Sequence, residues 1–137
     1  MSLFYQFLIC FAAALCFSLL LNQPRRSIVF SAIIGALAYV LFFVLGKGVM
    51  AYFVSSFFVG VACEGLARWK KTTATQLITC SLIPLIPGLG LYRTVRYLTE
   101  NQFSQAVKTG LDAVLGICAI ALAITFSTLL FKRRNHN

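Results

Sequence analysis

Residues 81–92 read Ser81-Leu-Ile-Pro-Leu-Ile-Pro-Gly-Leu-Gly-Leu-Tyr92 and interrupt an apolar run that is long enough to cross a membrane. Pro84 and Pro87 each remove a backbone N–H donor and clash with the preceding helical turn. Gly88 and Gly90 then free the backbone to leave helical geometry. Irregular backbone at membrane depth must be buried in protein or line a cavity. The stretch therefore predicts a helix broken from Pro84 to Gly90, as in transporters that bind solute near the bilayer midplane; a plain proline kink is the simpler alternative.

The composition around this stretch is that of an integral membrane protein. Of 137 residues, 60% are hydrophobic and only 11% are charged, whereas a soluble domain carries about 25% charged residues. The apolar runs are continuous rather than alternating, which favours helices over a β-barrel. We therefore predict an all-α membrane protein that forms a single transporter-subunit domain over residues 1–137.

Five apolar runs predict five transmembrane helices, the fourth of which carries the break. Their approximate bounds are residues 3–21, 27–45, 49–67, 73–98 and 105–131. The loops after the first and third runs and the tail after the fifth hold eight basic residues: Arg25, Arg26, Arg68, Lys70, Lys71, Lys132, Arg133 and Arg134. The other side holds at most four, so the positive-inside rule predicts an external N-terminus and a cytoplasmic C-terminus. No basic segment precedes the first run, which favours a retained helix over a cleaved signal peptide.

Several functional classes are disfavoured by what the sequence contains. The net charge of +9 arises from residues at the ends of apolar runs, so we expect no nucleic-acid partner. Five cysteines without a Cys-x-x-Cys spacing and a single histidine in the tail predict neither a metal site nor a cofactor. No nucleophile–histidine–acid set or phosphate-binding glycine loop is present, so we do not expect an enzyme.

Two of the three acidic residues are candidates for proton coupling. Glu64 lies near the end of the third run, where a carboxyl group is costly to insert and usually faces a cavity or a partner. Its alternative role is an ion pair with Arg68, four residues later. Asp112 lies near the start of the fifth run, and its alternative is to pair with Lys108, Arg93 or Arg96. Glu100, the third acid, is expected to be solvated in a polar loop.

Arg93 and Arg96 follow the break and are three residues apart, so they share a helical face. The start of that half-helix presents free N–H groups and the positive end of the helix dipole. Together with a guanidinium one turn later, these groups suit a carboxylate, which indicates an anionic or zwitterionic solute. The alternative is that both arginines extend to the lipid headgroups. Ser31 and Gly35 on the second run also predict a close helix contact.

The stretch Ile83-Pro-Leu-Ile-Pro-Gly-Leu-Gly-Leu-Tyr92 resembles the proline–glycine signature of the threonine/serine exporter family. The earlier stretch Phe58-Val-Gly-Val-Ala-Cys-Glu-Gly-Leu-Ala-Arg68 resembles the family's glycine–glutamate–alanine–arginine segment, although the following loop lacks the family's usual proline. By this resemblance Tyr92 joins Pro84, Pro87 and Gly88 in the broken-helix motif.

The resemblance extends to the small, C-terminal type of membrane module, such as the small subunit of two-gene succinate exporters. It implies a larger membrane subunit of the same family as partner, the bacterial inner membrane, and export of succinate, other dicarboxylates, serine or threonine.

The sequence therefore predicts the small subunit of a two-component, proton-coupled exporter of small carboxylate metabolites, with a homo-oligomer also open. The predicted solute-binding residues are Pro84, Pro87, Gly88, Gly90, Tyr92, Arg93 and Arg96. One alternative is a structural or assembly subunit of a membrane complex. Another is a self-sufficient small multidrug-type exporter, which is disfavoured because the first run contains no acid.

Overall fold

The computed structural model describes residues 3–46, 48–86 and 88–134, and every regular element in these ranges is helical. The six α-helices are α1 (Leu3–Leu20), α2 (Arg25–Val44), α3 (Val49–Lys70), α4 (Ala74–Leu82), α5 (Gly88–Thr99) and α6 (Phe103–Arg134). One turn of 3₁₀ helix, Ile83–Leu85, follows α4. The predicted all-helical class is confirmed.

Four of the helices are followed, within two positions of their last residue, by a residue with left-handed backbone geometry. Asn22, Lys71 and Asn101 have φ angles of 53°, 53° and 57°, and Gly46 has 86°. The residue after each of the first three donates back into the preceding helix, as Thr72 does to the Ala67 carbonyl at 3.0 Å. Glycine and asparagine tolerate this geometry, whereas a lysine at this position is less usual.

Three helices are long and apolar enough to cross a membrane by length and composition: Arg25–Val44, Val49–Lys70 and Phe103–Lys132. A shorter apolar helix occupies Phe4–Leu20. The predicted count of five is therefore not matched. The predicted fourth span is divided into α4 of 9 residues and α5 of 12 residues, and neither alone covers the roughly 20 residues that a crossing needs.

The break in the fourth run is narrower than the sequence predicts. α4 ends at Leu82, the 3₁₀ turn follows, and α5 begins at Gly88. The interruption therefore ends before Gly88, and the predicted extension to Gly90 is wrong. Glycine permits departure from helical geometry but does not require it.

α3 and α6 form an extensive contact and run in the same direction. Tyr52 near the start of α3 lies against Gly116, and Gly60 further along lies against Ser127. Both contacts depend on a missing side chain, since a Cβ at Gly116 would stand 3.0 Å from the Tyr52 ring. Small residues allow this close approach of helices, which is how helices associate in membranes.

α4 is fixed between α2 and α3 by buried polar contacts. The Ser81 hydroxyl donates to the Ser31 carbonyl at 3.0 Å, and the two hydroxyl oxygens are 3.2 Å apart. A Cβ at Gly35 would be 3.0 Å from the Ser81 carbonyl oxygen. The close contact predicted at Ser31 and Gly35 is therefore confirmed, with α4 as the neighbour.

The chain reaches the far end of α3 before α5 begins. Leu85 of the 3₁₀ turn belongs to one buried cluster with Phe42 and Ala51, which lie at the end of α2 and the start of α3. α5 then packs antiparallel on α6, with Thr94 against Gly110. Thirteen residues of α6 precede Gly116, about 20 Å of helix, whereas only three residues of α3 precede Tyr52. The α5–α6 hairpin therefore extends beyond the α2–α3 turn.

Candidate functional site

A cavity of about 330 Å³ lies where the α5–α6 hairpin meets the α2–α3 turn. Gly90 of α5 and Asp112 of α6 both line it, so the structure brings together one residue of the predicted broken-helix site and one predicted proton-coupling residue. The remaining lining residues are Gly48, Val49, Tyr52, Thr109 and Ala113. The size is at the lower end of pockets that hold small ligands, roughly 300–1,000 Å³.

The Tyr52 ring is held at the cavity between the Phe42 ring and the backbone of Gly116. Its ring lies 4.3 Å from the Phe42 ring, centroid to centroid, and its edge lies against the bare backbone of Gly116. Tyr52 is therefore a wall of fixed position that also carries a hydroxyl group. The sequence reasoning missed this residue, because an isolated tyrosine in an apolar run has no distinguishing pattern.

Asp112 is the acidic side chain of the cavity, and it forms no ion pair within the described part of the chain. None of its predicted alternative partners, Lys108, Arg93 and Arg96, pairs with it; Arg96 instead binds Glu100 at 2.9 Å. The nearby Thr109 hydroxyl donates to the Gln105 carbonyl at 2.9 Å rather than to Asp112. The Asp112 carboxylate is thus available to a solute, an ion or a proton.

The two arginines that follow the break do not line the cavity. Arg93 and Arg96 are both exposed on α5, as is Tyr92. Arg96 and Glu100 form an exposed pair four residues apart, so Glu100 is paired as well as solvated. The shared helical face of the arginines is turned away from the surface that α5 presents to α6.

Glu64 lies on a different level of the bundle. It is half-buried on α3, twelve residues beyond Tyr52, or about 18 Å along the helix. It forms no ion pair within the described residues, and Arg68 donates instead to the Phe131 carbonyl of α6 at 2.8 Å. The two predicted proton-coupling residues therefore do not share one site.

None of the other residues predicted at the break is among the described residues that line the cavity. Pro87 lies outside the described residues, and of Pro84 only the backbone is described, within the 3₁₀ turn. Gly88 is exposed at the start of α5, with nothing within 4 Å of where a Cβ would be. Among the described residues of the predicted break, Gly90 is the one that lines the cavity.

Buried serines are a feature that the sequence reasoning largely missed. In the described part of the chain, five fully buried serine hydroxyls have no hydrogen-bond partner: Ser18, Ser27, Ser55, Ser56 and Ser127. An unpartnered hydroxyl in an apolar interior costs roughly 1–3 kcal/mol. No local pattern in the sequence reveals that these hydroxyls are buried and unpaired.

The position of the cavity differs from the expectation of a midplane site. Gly48 and Val49, which line it, are the residues at which α3 begins. Because α2 and α3 are both candidate spans, the cavity lies at one end of them and not half-way along. A second, basic cavity lies at the opposite end of α3. No group of three or more metal-binding side chains occurs among the residues described.

Comparison with known protein families identifies a match over residues 6–130 to the family described as "Threonine/Serine exporter, ThrE". Comparison with curated proteins and with solved structures gives no match. The family match includes every predicted site residue and nearly all of the six helices. Its description, together with the apolar helices, indicates a membrane-embedded transporter rather than an enzyme. The chain therefore belongs to the threonine/serine exporter family.

Proposed function

We propose that this chain is the small membrane subunit of a two-component bacterial exporter of small carboxylate metabolites. The observation that carries the proposal is the shared cavity of Gly90 and Asp112, because it joins the interrupted helix to an unpaired carboxylate. Membership of an exporter family supports the direction of transport. The resemblance to small, C-terminal-type modules supports the two-subunit organisation.

Five crossings of the bacterial inner membrane are part of this proposal. α1, α2, α3 and α6 provide four, and the interrupted segment made of α4, the 3₁₀ turn and α5 provides the fifth. Its support is that Leu85 reaches the level of Ala51, at the opposite end of α3 from the start of α4. The basic residues then favour an external N-terminus and a cytoplasmic C-terminus. The α5–α6 hairpin and the Asp112 cavity would face outward.

The lining of the cavity favours serine or threonine over a dicarboxylate such as succinate. Asp112 contributes a carboxylate, Tyr52 and Thr109 contribute hydroxyls, and no cation is among the described lining residues. An ammonium group would pair with Asp112, whereas a dianion would be repelled unless Asp112 were protonated. The N-terminal turn of α5, which includes Gly90, suits the carboxylate of the amino acid.

Proton coupling is assigned in this proposal to Asp112, with Glu64 as a second carrier. An outward-facing carboxylate is positioned to take up protons from the external side. The unpartnered hydroxyls of Ser55, Ser56 and Ser127 lie on α3 and α6 beyond the cavity. These hydroxyls lie between the levels of Tyr52 and the half-buried Glu64 and would supply the polar groups of a proton route toward Glu64.

The larger subunit is proposed to cover α5. Leu89, Tyr92 and Val95 of α5 are 72%, 65% and 60% exposed, on a hairpin that extends beyond the α2–α3 turn. Arg93 and Arg96 share this uncovered helix, so a partner that closes over α5 would bring them to the solute path together with Gly88. A purely structural subunit would also use this surface. A subunit that forms part of the solute path differs from a structural subunit because substitutions in it change which solute is exported.

The test is the cellular content of serine, threonine and succinate in cells that express this chain, the larger family subunit, or both. We expect the content of a hydroxylated amino acid to fall only when both proteins are present. A fall with this chain alone would contradict the two-component proposal. Unchanged contents with both proteins confirmed in the membrane would contradict the solute assignment. An Ala113→Leu variant, which narrows the cavity, should change the ratio of serine to threonine export if the chain is more than a structural subunit.

A further inference from the structure

The second cavity, of about 550 Å³, lies at the end of the bundle opposite to Asp112. It is formed where the α1–α2 turn meets the α3–α4 turn. Arg25 and Arg26 from the start of α2, and Lys70 and Lys71 from the end of α3, all line it. Four cations therefore converge on one concave surface from two separate turns.

No acidic side chain is among the described residues that line this cavity. The chain has only three acids. Glu100 is bound to Arg96, Asp112 lines the opposite cavity, and Glu64 lies on α3 six residues before Lys70 and is not among the lining residues. Lys70 lies over the rings of Phe30 and Trp69, at 5.0 and 4.9 Å from their centroids. These contacts orient its ammonium group without neutralising it. The cavity thus holds a concentrated positive charge that an anion would offset.

Two hydroxyl groups of the cavity are left without hydrogen-bond partners. Ser27 is fully buried, and both its Oγ and the buried Oγ1 of Thr72 lack a partner in the structure. Both residues line the cavity. A buried hydroxyl without a partner is costly, so an acceptor in the cavity would be stabilised by donation from these two groups. The anionic oxygens of a phosphate group accept such hydrogen bonds.

The start of α2 adds a third anion-binding element. Pro24 is its N-cap, no side chain caps the helix, and no acid occurs in its first turn. The first N–H groups of this 20-residue helix lie at the cavity beside the two arginines. Free N–H groups and the positive end of a helix dipole favour a phosphate.

We propose that this basic cavity binds a phosphate group, as carried by the headgroup of an anionic phospholipid or by inorganic phosphate. The cavity lies at the ends of two candidate spans, and the phosphate groups of lipids lie at the corresponding depth of a bilayer. Trp69, which lines it and is 75% exposed, is the residue type that favours the membrane interface. The site is distinct from the Asp112 cavity and independent of the solute that is exported.

Lys71 offers a variant that removes charge without straining the fold. Its backbone is left-handed, with φ 53°, which glycine adopts more readily than lysine. Lys71→Gly therefore removes one cation while retaining or improving the stability of the turn. Ser27→Ala removes an unpartnered hydroxyl, so it weakens ligand binding without removing any contact seen in the protein.

The experiment measures phosphatidylglycerol and phosphatidylcholine binding to the full chain in detergent by native mass spectrometry. We expect phosphatidylglycerol to bind more tightly than phosphatidylcholine. Lys71→Gly should weaken the affinity for phosphatidylglycerol about fivefold, which is the effect of one cation near a membrane surface. Arg25→Gln with Arg26→Gln should weaken it about 25-fold if the two effects add. Lys108→Gln, on the α5–α6 hairpin, is the matched control and should bind as the wild type does.

Competition with soluble anions distinguishes the source of the phosphate. Displacement of the lipid by millimolar inorganic phosphate would show that the phosphate group alone suffices, whereas resistance to it would show that the lipid chains contribute. Equal displacement by succinate would overturn the phosphate assignment in favour of a general anion vestibule. Equal lipid binding by the wild type and by the Arg25, Arg26 and Lys71 variants would overturn the site itself, and this result does not bear on the proposed solute.

Discussion

The backbone of Gly60 on α3 lies so close to Ser127 on α6 that a Cβ at residue 60 would stand 2.7 Å from both Cβ and Oγ of Ser127. Separations below 3.0 Å between such atoms are not tolerated without movement. The contact lies in the most extensive helix pair of the structure, between two candidate spans. The absence of a side chain at Gly60 therefore determines how closely α3 and α6 approach.

Replacing Gly60 by alanine should destabilise the protein. The added methyl group forces α3 and α6 apart, and overpacking of this kind costs about 1–3 kcal/mol. Gly65→Ala on the same helix is the matched control, because nothing lies within 4 Å of its Cβ position, and the gain in helix propensity is about 0.5–1 kcal/mol. The midpoint of thermal unfolding in detergent should fall for the first variant only. Equal midpoints would show that the helices are not in contact at Gly60.

Ser81→Ala should destabilise the protein more than Ser55→Ala, although both serines are fully buried. Ser81 donates to the Ser31 carbonyl, and a hydrogen bond of this kind in a membrane protein contributes about 0.6–1.5 kcal/mol. The Ser55 hydroxyl has no partner to lose. Thermal unfolding of the two variants in one detergent makes the comparison. A larger loss with Ser55→Ala would mean that its hydroxyl has a partner in the assembled protein.

Local signals in the sequence determine much of this fold but not its pairing of helices. Hydropathy locates four helices to within three residues at each end, because length and apolar content alone define a helix that crosses a bilayer. The prolines mark the interruption for a similarly local reason. The placement of α5 against α6 depends instead on Thr94 meeting Gly110. The small residues Ala106 and Gly110 permit a close approach, but no local pattern identifies Thr94 as the partner.

The same distinction applies to the two cavities. Asp112 is a visible candidate because acids are rare in an apolar chain, but its neighbours Tyr52 and Gly90 arrive from other elements. Arg93 and Arg96 are equally visible, yet the rotation of α5 on α6 turns them outward. The basic cavity combines Arg25 from the α1–α2 turn with Lys70 and Lys71 from the α3–α4 turn. The positive-inside rule predicts that these cations lie on the same side of the membrane, but it does not predict that they line one cavity.

Val49→Phe should reduce export while leaving the fold intact. Val49 lines the Asp112 cavity and is 41% exposed, so a larger side chain can enter the cavity without displacing the core. Met50→Phe is the control, since Met50 is the next residue, is 76% exposed and does not line the cavity. Efflux of the exported amino acid should be slower for Val49→Phe at equal protein content in the membrane. Equal slowing by both variants would place the effect outside the cavity.

Asp112→Asn should abolish the pH dependence of efflux, and Glu64→Gln should retain most of it. The asparagine is similar in size but cannot release a proton, and Asp112 is the acid that lines the cavity. The measurement is efflux from proteoliposomes containing both subunits, with the external pH varied at constant internal pH. A flat profile for Glu64→Gln alone would transfer the coupling role to Glu64.

Solute exchange without a proton gradient then shows what the Asp112 carboxylate does. A residue that only carries protons is not needed when labelled and unlabelled solute exchange across the membrane, so Asp112→Asn should retain exchange if coupling is its only role. A residue that binds the ammonium group of the solute is needed in both assays, and the loss of that ion pair raises the solute concentration required for half-maximal exchange. Because Asp112 has no ion-pair partner within the described residues, we expect Asp112→Asn both to lose the pH dependence of efflux and to need a higher solute concentration for half-maximal exchange. Retained exchange would separate coupling from binding and favour a solute without an ammonium group.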